Sequence, residues 1–423
     1  MPQTTSWTDA KSAKNYPKLI NKISADVAII GGGIAGIFSG YLLAKAGVSV
    51  VLLEADRIGA ATTMYTTAFL TQDIDTDLSE LKKIYGKHKA KMVWESHRSA
   101  VDLIESIIKE EGIDCNFMRC PLYIYANAAQ EYQLLEDENQ TAKNLGFDTV
   151  ITKKNNLDFP NAGYLKIKNQ AKFNPERFLS ALAERATELG LQIYEKSEVT
   201  KVSGKKALKV EAADGSVIAK NVITATYKPF KNPIQTFAKK GTYDSYVLEA
   251  EVPKGIFQEA LYLDTENPYH YFRIDDAGKN YRIIIGGEDH RAGFKIPDSK
   301  SFTALETYLK KIMAGRKYTI TKKWKAPILE PSDGLALIGE YKSNRLVATA
   351  FSGNGISYSA ISALLLRDII IGKKNPWREL YDPRRIPSAK QLASKAKDYA
   401  EEFIQGACKN LFVKAKPKFK KQK

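Results

Sequence analysis

The segment that most restricts the fold lies near the amino terminus, where Asp26-Val27-Ala28-Ile29-Ile30 runs straight into Gly31-Gly32-Gly33 and Gly36 follows within one helical turn. An apolar, β-branched run of that length reads as a buried strand. Ile34, Ile37, Phe38, Tyr41, Leu42 and Leu43 then recur at close to helical spacing, which predicts a helix over 34–46 stopped by Gly47. Val48 to Leu53 forms a second apolar run and ends at Glu54. Strand, helix and strand in that order make a β-α-β unit with parallel strands. Gly31 suits the tight turn, Gly33 the close approach of backbone to a pyrophosphate, and Gly36 the packing of helix on strand. Amides at the helix start favour the phosphates' negative charge, and Glu54 stands where a carboxylate accepts ribose hydroxyls. The unit reads as a dinucleotide site in preference to a purely structural glycine turn.

The rest of the chain supplies more than one core. Its 423 residues exceed the usual limit for a single domain, so two are expected. Amphipathic helices are predicted over 77–84 and 90–111, and another over 175–190 with Asn174 as N-cap and Pro175 as first helical residue. Short strands follow at Leu191 to Tyr194, Val199 to Val202, Leu208 to Ala212 and Val222 to Ala225. From Tyr243 to His290 apolar and polar residues alternate, and the turn Asp275-Asp276-Ala277-Gly278-Lys279 signals a hairpin in an antiparallel sheet. Helices are expected again over 302–313 and 357–371, with a strand at Arg345 to Thr349 between them.

Composition narrows the setting. Cys115, Cys120 and Cys408 form neither an even disulfide framework nor a paired ligand set, so they read as reduced thiols of a cytoplasmic protein, and no metal site is expected. Met1 to Tyr16 lacks the apolar core of a secretory signal, and the apolar stretch from Ala360 is cut by Arg367 and Asp368. The formal charge of +16 owes much to Lys414 through Lys423. A solvated tail is the expectation, with contact to an anionic surface as the alternative and no nucleic-acid partner.

The identity of the dinucleotide rests on a second glycine motif, Ser352-Gly353-Asn354-Gly355-Ile356, at a strand-to-helix junction late in the chain. A helix start there suits the flavin end of an extended FAD. No second complete G-x-G-x-x-G marks a nicotinamide site. The expected fold class is therefore α/β, a Rossmann-type FAD-binding domain with an inserted substrate domain built on a mixed or antiparallel sheet plus helices. The cofactor domain is assigned to 1–85, 165–235 and 322–387, the substrate domain to 86–164 and 236–321, and a terminal helix with the basic tail to 388–423.

From about Ser6 to Pro383 the sequence resembles the glycine oxidase and D-amino acid oxidase superfamily of FAD-dependent oxidoreductases, and within it the group whose members often carry a C-terminal Rieske domain. The resemblance is carried by Ala25 to Gly36, Leu53-Glu54-Ala55 with Arg57-Ile58-Gly59, and Thr62 to Ala68. It continues in Gly112 to Phe117, Ile285 to His290, Asp333-Gly334-Leu335 with Ile338-Gly339, and Phe351 to Ile356. It implies a flavin site made by Gly31, Gly33, Ile34, Ala35, Gly36, Glu54, Ala55, Arg57, Thr62, Thr63, Thr66, Thr67, Val199, Thr226, Gly353, Asn354, Gly355 and Ile356. Rieske cysteine pairs are absent. Ile328 stands near the place where amine oxidases of the superfamily often put an arginine for the substrate carboxylate. No cysteine lies between Trp324 and Gly339, where some relatives attach flavin covalently, so the FAD is expected to be non-covalent.

Flavin carries the hydride chemistry, so the protein chiefly has to place a C–H bond near N5. The expected reaction is oxidation of a small amine or amino-acid-like C–N substrate, with electrons passed to oxygen, a quinone or a protein. Tyr246, His270, Tyr271, Arg273, Glu288 and His290 lie on the expected substrate sheet. His290 is taken as the proton acceptor, with a structural histidine as the alternative. Arg273 is taken as an anion contact, with an ion pair as the alternative, and Tyr246 completes the catalytic set. Two other functions stay open: a non-catalytic flavoprotein or electron-transfer assembly component docking through the basic tail, and an NAD-dependent dehydrogenase using the same turn.

Overall fold

The structure is a computed structural model and describes residues 4–7, 14–153, 157–227, 241–293, 296–388 and 391. Val27, Ala28 and Ile29 are fully buried and Ile30 nearly so, because both faces of their strand are covered. Val27 and Ile29 pack with helices on one face, and Ala28 and Ile30 pack with Val199, Leu208 and Val210 on the other. That double cover explains why the run reads as continuously apolar.

The elements, in order, are β1 (Lys22–Ile30), α1 (Ile34–Lys45), β2 (Val50–Leu53), β3 (Phe69–Leu70), α2 (Leu78–Glu110), β4 (Met118–Ala126), α3 (Ala129–Asn144), β5 (Thr149–Thr152), β6 (Gly163–Lys172) and α4 (Pro175–Glu188). There follow β7 (Gln192–Tyr194), β8 (Val199–Ser203), β9 (Leu208–Ala212), β10 (Ser216–Thr224), β11 (Thr242–Val252), β12 (Leu261–Asp264), β13 (His270–Ala277) and β14 (Asn280–Arg291). Last come α5 (Asp298–Met313), β15 (Thr319–Leu329), β16 (Leu337–Lys342), β17 (Arg345–Thr349) and α6 (Gly355–Ile370).

Two sheets result. The first has the order β16-β17-β10-β1-β2-β7, with β17, β10, β1, β2 and β7 parallel and β16 an antiparallel edge. β9 pairs antiparallel with the start of β10, and β8 with β9. The second has the order β15-β11-β14-β13-β12-β4-β6-β3, with β5 on β6, and is antiparallel except where β12 meets β4. The expected α/β class with a mixed second sheet is what forms.

Several expectations meet the structure element by element. The two helices predicted over 77–84 and 90–111 are the arms of α2, broken at Gly86, whose φ of 81° and ψ of 163° are not helical. Asn174 accepts from the amides of Glu176 and Arg177, both at 3.1 Å, as the N-cap of α4. The expected domain limits give 165–172 and 322–329 to the cofactor part, whereas β6 and β15 belong to the second sheet. Hydrogen bonding across sheet edges, which patterning along the chain does not report, sets that division. Among the described residues no helix is long and apolar enough to cross a membrane. Cys408 and Lys414 to Lys423 lie outside the described residues.

Candidate active site

The first glycine turn meets two different constraints. A Cβ at Gly31, where φ is 110°, would sit 2.6 Å from the Ala225 carbonyl oxygen, and one at Gly36 would sit 1.9 Å from the oxygen of Gly31. Those two glycines are demanded by the fold itself. At Gly33 a Cβ would meet only Thr63 Oγ1, at an ordinary 3.4 Å. Gly33 lines an open cleft, so its constraint comes from what approaches through that cleft. No side chain caps α1, whose first-turn amides are left for an anion, apart from Ile34 N, which donates to Thr63 Oγ1 at 3.2 Å.

The cleft encloses about 990 Å³, counting its open mouth. Of the residues expected at the cofactor, Gly33, Ile34, Ala35, Thr62, Thr63, Thr66, Thr67, Thr226, Gly353, Gly355 and Ile356 line it. Glu54, at the end of β2, accepts from Gly32 N at 2.6 Å and Asp56 N at 2.9 Å, directly behind the turn. Ser197 N donates to the Glu54 carbonyl, which brings the start of β8 and Val199 beside it. Gly31, Gly36, Ala55 and Arg57 do not line the cleft, and Arg57 donates to Asn15 Oδ1. At the other end, β17 passes through Ala350 and Ser352, both at positive φ, into α6. The α6 start also carries no side-chain cap, so residues at two helix N-termini, Ile34 and Gly355, line one cleft. An uncapped helix start at each end, bare glycines and hydroxyl-bearing walls between them, and a carboxylate behind the first turn fit an extended dinucleotide.

The threonine loop is braced from behind by three buried donors. Trp324 Nε1 reaches the Tyr65 carbonyl at 2.9 Å, Trp7 Nε1 that of Thr66 at 2.7 Å, and Arg273 those of Thr67 and Ala68, both at 3.0 Å. With its carbonyls tied back, the loop turns its hydroxyl side to the cleft.

A second cavity of about 1290 Å³ adjoins the first and shares Thr67, Tyr271, Ile328 and Gly353 with it. Tyr271 stands at this boundary, set against Phe69 edge-on at 5.3 Å. Its ring lies across Gly286, where a Cβ would fall 2.2 Å from the phenol carbon, so the glycine makes room for the ring. Burial raises the Tyr271 hydroxyl above its ordinary range and keeps it a protonated donor.

The sequence profile of the DAO family, described as FAD dependent oxidoreductase, matches residues 26–369. The chain belongs to the DAO family. Among its relatives, the Bacillus subtilis (strain 168) protein YhfW, named as a Rieske 2Fe-2S iron-sulfur protein, is 29% identical over 95% of this chain and 80% of its own length. The gamma-glutamylputrescine oxidoreductase of Escherichia coli K12 is 24% identical over 88% of this chain and 90% of its own. In structure, the glycine oxidase of Geobacillus kaustophilus superposes with a TM-score of 0.73 at 20% identity, covering 86% of this chain and all of that one.

Within this DAO fold the three residues expected to be catalytic line neither cavity. Ser245 and Val247 face the cleft, so Tyr246 between them points to the opposite side of β11, where its hydroxyl donates to Asp298 Oδ1 at 2.7 Å. His290 stacks on that tyrosine at 5.3 Å, on the same far face. Arg273 is 2% exposed and bound up in structure, with Asp275 taking Nε and Nη2 and three carbonyls taking Nη1. Its guanidinium also lies over the Trp7 ring. His270 hydrogen-bonds Asp264 at 3.0 Å and Glu288 at 3.3 Å. Burial alone would lower its pKa, but the two carboxylates outweigh it and lift it to about 9. The sequence reading passed over Asp73, Asp75 and Tyr269 of the inner cavity; three aspartates at alternate positions from Asp73 to Asp77, just past the threonine loop, are the signal that marks them.

Proposed function

We propose that this DAO-family oxidoreductase oxidises a carbon–nitrogen bond of a small amine or amino-acid-like substrate, with FAD held non-covalently in the cleft and substrate in the adjoining cavity. The observation that carries the reading is the shared wall of Thr67, Tyr271, Ile328 and Gly353, which sets a second cavity directly against the α6 end of the cleft. FAD, when bound, supplies a two-electron acceptor at its N5 position. The chain's part is to hold the substrate carbon at that wall, exclude water, and favour charge that grows on the ring. Ile328, Leu329 and Phe351 give the cleft apolar surface, and the uncapped α6 start places amides where negative charge develops. Tyr271 is positioned to orient substrate through its hydroxyl. No cysteine among the described residues lines the cleft, which supports non-covalent binding. The names of the relatives, an amine oxidoreductase and a glycine oxidase, support the C–N substrate class.

The first sheet with its helices serves as the cofactor part and the second sheet as the substrate part. The acceptor that reoxidises the flavin is dioxygen, a quinone or a protein carrier. Anaerobic mixing of the purified yellow protein with amines, imino acids and hydroxy acids tests the reading. Bleaching of the visible flavin band by a C–N substrate is expected; bleaching by hydroxy acids alone, or by nothing in the panel, overturns it.

A further inference from the structure

The chain carries 64 lysines and arginines against 48 aspartates and glutamates, yet among the described residues the inner cavity is lined by Asp73, Asp75, Asp77, Glu138, Asp264 and Glu266 and by no lysine or arginine. Two of these carboxylates are in ion pairs among the described residues, and Asp75 accepts from Gly353 N at 2.7 Å. Asp264 pairs with His270, and Glu266 with Lys311 at 2.7 Å. Glu138 is held by the amides of Leu78 and Ser79 at the start of α2, with no ion pair among the described residues. Asp73 is the exception that matters most. It is only 7% exposed and lines the cavity; among the described residues the Ile74 amide donates to it, and the carboxylates of Asp77, Glu138 and Asp75 stand close enough to disfavour its charge.

A buried carboxylate surrounded by like charges is unfavourable unless a proton or a cation neutralises it. The cavity has room for that cation. Between the acids the wall is aliphatic: parallel pairing of β12 with β4 sets Leu263 beside Ile124, and Leu122 lies on the same strand. Carboxylates separated by an apolar wall match ammonium groups separated by methylenes. A substrate carboxylate would meet repulsion here, and Ile328 on the wall shared with the cleft offers it no cation.

We propose that the inner cavity selects an aliphatic di- or polyamine that carries no carboxylate, with a remote ammonium paired to Asp73 while another C–N bond is oxidised at the boundary with the flavin cleft. The proposal rests on the oxidoreductase reading above. In that step a hydride leaves the carbon for the flavin and a proton leaves the nitrogen, C–N becomes C=N, and water splits the imine into an aldehyde and ammonia, or an amine where a secondary nitrogen is oxidised. The reduced flavin then passes its electrons to dioxygen or a quinone.

Three matched probes test it on the flavin-loaded protein: 1,4-diaminobutane, n-butylamine and 4-aminobutanoate, compared by calorimetric Kd and by anaerobic bleaching. Diaminobutane is expected to bind at least tenfold tighter than butylamine and to bleach the flavin, with 4-aminobutanoate the weakest of the three. Asp73→Asn is expected to remove most of the diamine preference while flavin content holds. Ile328→Arg gives an independent arm, in which 4-aminobutanoate gains relative to diaminobutane. Bleaching by α-amino acids or 4-aminobutanoate in preference to diamines overturns the inference and leaves the oxidoreductase reading standing. A flavin that no amine bleaches overturns both.

Discussion

Gly33 and Gly36 stand three residues apart in one turn and answer to different masters, the ligand and the fold. Gly33→Val is expected to fold normally, since its Cβ would make only an ordinary contact with Thr63 and its methyls enter the cleft, but to lose FAD on purification. Gly36→Val is expected to fold poorly or not at all, because the new carbon overlaps the Gly31 carbonyl. Thermal melts alongside flavin content separate the two, and equal loss of folding at both positions would contradict the assignment. Arg273 makes a second residue-level case. Arg273→Met removes the brace on Thr67 and Ala68 and leaves Asp275 with fewer cations, so a loss of about 3–5 kcal/mol is expected in denaturant titration, with weaker flavin retention. Unchanged stability with only a raised KM would instead make Arg273 a substrate contact. The glycine turn could be read from the sequence because its demands are local to a short motif, and the threonines expected from the family resemblance line the same cleft as Gly33. Tyr246 and His290 could not be placed in this way, because a strand's alternation gives two faces without saying which one meets the cofactor.

Elements with their own punctuation were easiest to read. Asn174 followed by Pro175 announced α4, and the separate apolar periodicities over 77–84 and 90–111 announced two helical arms, which meet in α2 at Gly86. Asn174→Ala removes two amide contacts and is expected to cost about 1 kcal/mol, measured as a shift in unfolding midpoint with no change in the bound flavin's spectrum. A spectral change would mean that the cap reaches the cofactor. Strands β4, β6 and β15 were hidden for physical reasons. Pro121 interrupts the ladder of β4, which bulges between Cys120 and Leu122. β15 carries Lys322, Lys323 and Lys325 in a partly exposed run that reads as loop until β11 pairs with it.

At the scale of the whole molecule, the parallel order of the first sheet joins segments from both ends of the chain, and only their contacts reveal it. One titration should be visible at this scale. His270 is lifted from an ordinary 6.5 to about 9 because Asp264 and Glu288 favour its charged form in the folded state. The stability it contributes is therefore complete below pH 6.5 and lost as pH rises through about 9. Relative to His270→Gln, the wild type is expected to lose about 3 kcal/mol across that window, checked by chemical denaturation at several pH values. A pH-independent difference would show that the histidine is neutral throughout. The cleft between the two uncapped helix starts has to take FAD for the chain to act as an oxidoreductase. Titrating FAD into flavin-stripped protein while following flavin fluorescence tests this most directly: saturable quenching at one FAD per chain, undisturbed by excess NAD, is predicted, and no saturable uptake of FAD, or its displacement by NAD, would contradict it.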